Sequence, residues 1–483
     1  MKQYKLILNQ IIYPSRTFTF CLSIALSALF GAGHAQLRLP GIYSDHMVIQ
    51  QNATVAIWGW SNPTQDVVVK VSWDTATVKT KSANTAFWKT SITTPPAGGP
   101  HTITVVAGNE TRVIEDVLSG EVWLCSGQSN MEWSMAASGD GKTIIVQVND
   151  PKIRLFDVPN SAADTRQTRG EGTWKVCDRN SVAGFSAVGY FFGKKISDNL
   201  QMPVGLINSS WGGTPAESWV PAENIESNES LKQSAMKLKD DRPWCPSRPA
   251  VVFNSMINPL LPYKIAGALW YQGETNTVAP ATYKQLMETL IGVWRKEFNA
   301  DFPFYYVQIA PYRGYGDVEK GTLIREQQVM MQNIPNTGMI VISDLVDNVN
   351  DIHPLFKKPV GERLADVALA KTYGKHDIIY QSPQYSSMKV EKQRIRVTFD
   401  VAKNGLVSKG GAPTEFLIAG PDHKFYPAKA KIDGNTVIVS SKDVKEPVAV
   451  RYAWSNASIG NLFGATGLPV SSFRTDDWPI QVN

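Results

Sequence analysis

Apolar and polar positions alternate over short runs between residue 36 and about residue 115, with Pro, Gly and Asn between the runs. Val55–Trp60, Val67–Trp73 and His101–Val106 are typical. Alternation of this kind sends every second side chain to one face, so it predicts half-buried strands, here a small β-sandwich over 36–115. From 116 to 376 the pattern changes. Apolar runs at Glu121–Cys125, Val204–Asn208, Ile265–Tyr271, Phe304–Ile309 and Met339–Ser343 read as strands. Helical stretches lie among them at Ala183–Leu200, Tyr283–Phe298 and Pro354–Tyr373, the second with Leu286, Leu290, Val293 and Trp294 at helical spacing. Strands alternating with helices predict an α/β region, a parallel sheet with helices on both faces. Short strands return over 377–483, as in Arg394–Phe399 and Val437–Ser440. Residues 221–262 are a polar stretch ending in Arg242–Pro249, read either as an excursion beside a site or as a surface loop.

Residues 1–35 have the order of a signal peptide. Lys2, Lys5 and Arg16 precede an apolar run from about Thr17 to Ala32, and Gly33-His34-Ala35 offers a cleavage site. The expectation is export to the periplasm or the medium, with mature protein beginning near Gln36. The sequence after Ala35 has no apolar run of the roughly 18 residues a second span needs, so stable membrane insertion is not expected. Most of the formal net charge of +5 belongs to that leader, which carries no acidic residue. No basic patch then points to a nucleic-acid partner. Cys125, Cys177 and Cys245 permit at most one bridge and lack metal spacing. The histidines after the leader, His46, His101, His353, His376 and His423, are isolated in sequence, so no metal site is expected. Fourteen tryptophans suit β-structure, cores and sugar-sized clefts alike.

Four polar segments follow predicted strands, and loops at the carboxyl ends of parallel strands share one crevice. In Cys125–Trp133, Ser129 stands between strand and helix behind Gly127, where its Oγ can project and its amide can meet negative charge. The last position of a Gly-x-Ser-x-Gly elbow is here Met131. In Ser209–Trp219, Gly212 and Gly213 let backbone N–H groups approach a ligand closely, as an oxyanion hole requires. Trp270–Asn276 supplies the side-chain donors Gln272 and Asn276 and the carboxylate of Glu274. Asp347–Pro354 sets His353 just before a helix, with Asp351 and Asp347 two and six residues back, which suits a general base with an orienting acid.

These motifs, in this order, resemble the sialate O-acetylesterase family, a branch of the GDSL-type (SGNH) serine hydrolases. Ser44–Gln50, Phe253–Leu260, Val450–Trp454 and Leu468–Arg474 also look like family segments, so the resemblance spans most of the chain after the leader. It implies a three-layer, parallel-sheet SGNH-like domain flanked by N- and C-terminal β-sandwich regions. It implies Ser129 as nucleophile and His353 as base, with oxyanion donors from the Ser129 amide, a glycine of the second motif and an asparagine of the third. Two positions depart from the pattern. Asn276 lies three residues after Gly273, leaving Gln272 and Asn276 both open as donors. Asn350 stands where relatives place an aspartate, leaving Asp351, Glu274 or no carboxylate at all as the partner of His353.

The expected activity is hydrolysis of O-acetyl esters on sugars, most simply of O-acetylated sialic acids, with no metal or organic cofactor. Deacetylation of xylan or another polysaccharide is the alternative within enzymes. From another class, the alternative is a carbohydrate-binding protein that has lost catalysis.

Overall fold

A computed structural model describes residues 36–238, 241, 244–316, 319–400 and 404–480. The expected leader, residues 1–35, lies outside the described residues. The centre of the molecule is a mixed α/β unit whose strands are β1 (Glu110–Gly127), β2 (Asn149–Asp157), β3 (Trp174–Asp178), β4 (Val204–Ser210), β5 (Gly267–Tyr271), β6 (Phe304–Val307) and β7 (Thr337–Ile340). They lie in the order β7-β6-β5-β1-β4-β2-β3, all neighbours parallel except β2 and β3.

Successive residues of the central strands face opposite layers. Trp123, Cys125, Leu269, Tyr271, Tyr305 and Val307 pack with the helices Ala187–Leu200 and Lys357–Lys371. Val122, Leu124, Ala268, Trp270, Phe304 and Tyr306 pack with the helices Tyr283–Glu297 and Lys320–Met330. Burial on both faces is why these strands read as nearly unbroken apolar runs.

The first half of β1 belongs to another layer. It pairs antiparallel with Gly98–Ala107, while Val48–Gln50 joins parallel at Leu118–Gly120. The junction expected at 115/116 thus falls inside one strand of 18 residues. A separate pair, Thr54–Trp60 with Phe87–Thr93, buries Val55, Ile57, Trp88 and Ile92 in the same cluster as Val67, Val69, Ile103 and Val105. The C-terminal region forms further sheets around its own core of Ile395, Val397, Phe399, Ile418, Val437, Val450 and Tyr452. Arg474 anchors it to the central unit through Glu326 at 2.6 Å. Among the described residues, no helix is long and apolar enough to cross a membrane. No group of three or more His, Cys, Asp or Glu there could hold a metal ion.

Candidate active site

Three strands end in register. Gly127 pairs with Ser210 on one side and with Tyr271 on the other. The chain order also reverses about β1: the segments after it build one side of the sheet, then the other. This is the topological switch where ligands bind in open α/β sheets. Gly127 has φ +132°, and a Cβ there would collide with the Tyr271 carbonyl, so only glycine lets the chain turn so close to β5. Gln128 follows, and the short helix Ser129–Glu132 begins on the nucleophile candidate itself. The Ser129 N–H therefore lies in the first turn, where a helix leaves its amides without backbone acceptors.

His353 arrives from the loop after β7 and sets Nε2 3.0 Å from Ser129 Oγ. Two residues 224 apart in sequence thus form one hydrogen-bonded pair. The indole of Trp133 stacks on the imidazole, with ring centres 4.5 Å apart and planes at 23°. Burial, then the nearby Lys357 ammonium, lowers the pKa of His353 from the ordinary 6.5, while Asp351 opposes the shift. Burial and Lys357 both favour the neutral imidazole that a general base requires.

The candidate acids are arranged differently from a triad. Asp351 Oδ1 lies 3.6 Å from His353 Nδ1, and its side chain is 52% exposed. The same oxygen accepts the His353 backbone N–H at 2.9 Å, so this carboxylate caps the turn. Asn350 is turned to Arg313, whose Nε donates to its Oδ1 at 3.1 Å. Glu274 is buried and accepts from Asn130 Nδ2 at 2.7 Å. Among the described residues, no carboxylate hydrogen-bonds to the His353 ring.

The expected oxyanion donors separate into two groups. Gly212 adjoins the nucleophile, since a Cβ there would lie 3.3 Å from Ser129 Cβ. Its N–H donates to Glu132 Oε2 at 2.6 Å, and Asn160 Nδ2 donates to the other oxygen of that carboxylate at 2.9 Å. Gly213, at φ +79°, packs against Trp244 and also lines the cleft. Gln272 and Asn276 are instead buried behind it. Gln272 Nε2 donates to Asn276 Oδ1 at 2.6 Å, and Asn276 Nδ2 donates to Glu217 Oε2 at 2.9 Å. Asn276 Oδ1 also accepts the Ala216 N–H at 3.0 Å. These amides tie the second loop to the third, because a buried polar side chain must be satisfied where it lies.

The pair Ser129–His353 opens on a cleft of about 680 Å³. The polar stretch 221–262 supplies Lys237, Leu238, Trp244 and Ser247 to its wall, so it is an excursion beside the site. Trp211, Tyr312 and Tyr315 add aromatic surface. Lys237 is the basic residue other than His353 among the described lining residues. Cys125, Cys177 and Cys245 are buried and form no disulfide with one another. Trp133, Glu132, Asn130, Asn160 and Lys357 did not stand out in the sequence. Trp133 lies inside the nucleophile motif and Lys357 four residues past His353, but residue type alone does not show their contacts.

Known proteins resemble this chain in sequence and in fold. Residues 119–370 match the family model described as carbohydrate esterase, sialic acid-specific acetylesterase. The human sialate O-acetylesterase is 29% identical over 92% of this chain and 92% of its own. That of Pongo abelii is 30% identical over 77% and 78%. A crystal structure of a carbohydrate acetylesterase from Xanthomonas citri superposes with TM-score 0.84 at 36% identity, covering 92% of this chain and 100% of its own. The chain belongs to the sialic acid-specific acetylesterase family of carbohydrate esterases.

Proposed function

We propose that this protein removes O-acetyl groups from sialic acids by two-step acyl transfer, with Ser129 as nucleophile and His353 as base. The observation that carries the reading is the 3.0 Å contact of Nε2 with Oγ on the wall of a sugar-sized cleft. His353 Nε2 takes the Ser129 proton as Oγ attacks the acetyl carbonyl carbon. The oxyanion forms beside the Ser129 and Gly212 amides. Glu132 Oε2 already sits on the Gly212 N–H, which marks that donor as suited to a negatively charged oxygen. The oxyanion displaces this carboxylate. As the intermediate collapses, the imidazolium returns the proton to the departing sugar oxygen. Water then gives a proton to His353 and attacks the acetyl–Ser129 carbonyl; the C–Oγ bond breaks, the imidazolium returns the proton to Ser129 Oγ, and acetic acid departs as acetate. Each step uses side chains and amides of this chain alone.

In this reading His353 works in a dyad with Ser129, and Asp351 serves as a turn cap with a weak charge effect. The assignment of catalysis to an SGNH-like region 116–376, flanked by β-sandwich regions 36–115 and 377–483, belongs to the same proposal. So does export through residues 1–35.

A second reading is deacetylation of a neutral polysaccharide such as xylan, and against it stands Lys237, the lone lysine or arginine among the described lining residues. A sialate carboxylate would need such a cation, and an acetylated xylose would not. Acetate release from O-acetylated sialic acid and from acetylated xylan, measured as kcat/KM, tests the proposal. Higher kcat/KM on the sialate supports it; activity confined to xylan overturns it.

A further inference from the structure

A buried polar cluster lies behind the histidine, and the reaction described above makes no use of it. Asn130 follows the nucleophile directly and has no exposed surface. Its Nδ2 donates to Glu274 Oε1 at 2.7 Å and to the Ile352 carbonyl at 3.0 Å. Its Oδ1 accepts from Lys357 Nζ at 2.6 Å. One side-chain amide therefore joins the nucleophile helix, the loop after β5, the histidine loop and the start of the helix Lys357–Lys371.

Lys357 is in an unfavourable place for a cation. It is 1% exposed, and it opens a helix, whose amino-terminal end is the positive end of the dipole. Burial brings its pKa down to about 7 against the attraction of Glu274, Asp351 and Asp347. Glu274 is pushed up by burial, and its Oε2 is buried without a hydrogen-bond partner. Lys357 Nζ also lies 5.7 Å from the centre of the Trp133 ring, which stacks on His353. A charge so costly to bury would be replaced at little loss by an apolar side chain if it served packing alone.

We infer that Lys357 is a positioning residue for acetyl transfer. Through Asn130 it fastens the nucleophile helix to the histidine loop, and its cation, in place of a hydrogen-bonded carboxylate, is the charged group that sets how His353 behaves as a base. The inference rests on the Ser129–His353 reading. The groups facing the imidazole are Ser129 and Trp133 from the nucleophile segment, Asp351 from its own loop and Lys357 from the helix behind. Asp351 and Lys357 act in opposite senses, the first favouring the protonated ring and the second the neutral one.

The test compares the wild type with Lys357→Met, which keeps the apolar stem, and Lys357→Arg, which keeps the cation. The acid limb of kcat/KM for an aryl acetate reports the free enzyme's base. Removing the cation lets His353 hold its proton more tightly, so Lys357→Met should move that limb to higher pH by about half a unit or more. Lys357→Arg should leave the limb near its wild-type position. A folded Lys357→Met protein with the wild-type limb overturns the inference.

Should that variant fail to fold, Lys357→Met combined with Glu274→Gln removes both buried charges and reads the same shift. NMR titration of the His353 ring adds a readout that needs no turnover. The ring of Lys357→Met should titrate at higher pH than the wild-type ring, and equal titration of the two overturns the inference. The ring shift also separates the two readings, since it persists if Ser129 proves not to be the nucleophile.

Discussion

Replacing Asp351 by Asn keeps the side chain's shape and removes its charge. The Asn oxygen can still accept the His353 backbone N–H that Asp351 Oδ1 now accepts at 2.9 Å, so the turn should persist. What is lost is the attraction between a carboxylate and an imidazolium whose nearest atoms are 3.6 Å apart, with Asp351 half exposed. In water that attraction is about 1.2 kcal/mol, and exposed pairs typically realise about 1 kcal/mol or less. Since about 1.4 kcal/mol corresponds to tenfold in rate, Asp351→Asn should cost less than about tenfold in kcat/KM. An acid hydrogen-bonded to the ring would cost roughly ten-thousand-fold. The charge change also has a sign. Asp351 raises the pKa of His353, so the variant's acid limb should move to lower pH. Aryl acetate hydrolysis across the acid range, alongside a melting curve, measures both effects. A loss near ten-thousand-fold with an unchanged melting temperature would refute the dyad, because it would mean that Asp351 closes onto Nδ1 in the working enzyme.

Glu274→Gln should lower the melting temperature by several degrees and leave turnover within about tenfold, because removing one member of a buried charge pair costs about 3 kcal/mol or more. A ten-thousand-fold loss of turnover at unchanged melting temperature would instead make Glu274 the acid. Gly212→Ala should fold and lower kcat/KM by about ten- to hundredfold, since its methyl would lie 3.3 Å from Ser129 Cβ and 2.9 Å from Glu132 Oε2. Wild-type kcat/KM in that variant would count against Gly212 as an oxyanion donor. Lys237→Ala should raise KM for O-acetylated sialic acid severalfold while leaving aryl acetate hydrolysis alone. Equal effects on both substrates would exclude Lys237 as the carboxylate's partner.

The strand-to-helix punctuation around Ser129 and His353 made those two residues legible, because a parallel sheet brings its carboxyl-end loops together whatever their separation in sequence. Element edges were less legible. The last strand expected at Met339–Ser343 runs Thr337–Ile340, and the helix expected from Pro354 starts at Lys357. Of the strand Glu110–Gly127 only Glu121–Cys125 is an apolar run in the sequence, because that half is buried throughout whereas Glu110–Asp116 is mostly exposed. Gln272 and Asn276 have the right chemistry for oxyanion donors, but their amides are consumed by Glu217, Thr214 and Ala216 behind the loop. Residue type reveals a donor's capacity and says nothing of its partner. Lys357 was invisible for the same reason: a lysine after His-Pro reads as solvated until the fold buries it.

Ser129→Ala most directly tests the account. The variant's fold is checked by its melting curve, and its rate of acetate release from O-acetylated sialic acid is compared with the wild type. The account predicts a folded protein slowed by several orders of magnitude, to the level that binding and oxyanion contacts alone sustain. A folded Ser129→Ala protein keeping more than about a tenth of wild-type turnover would contradict it.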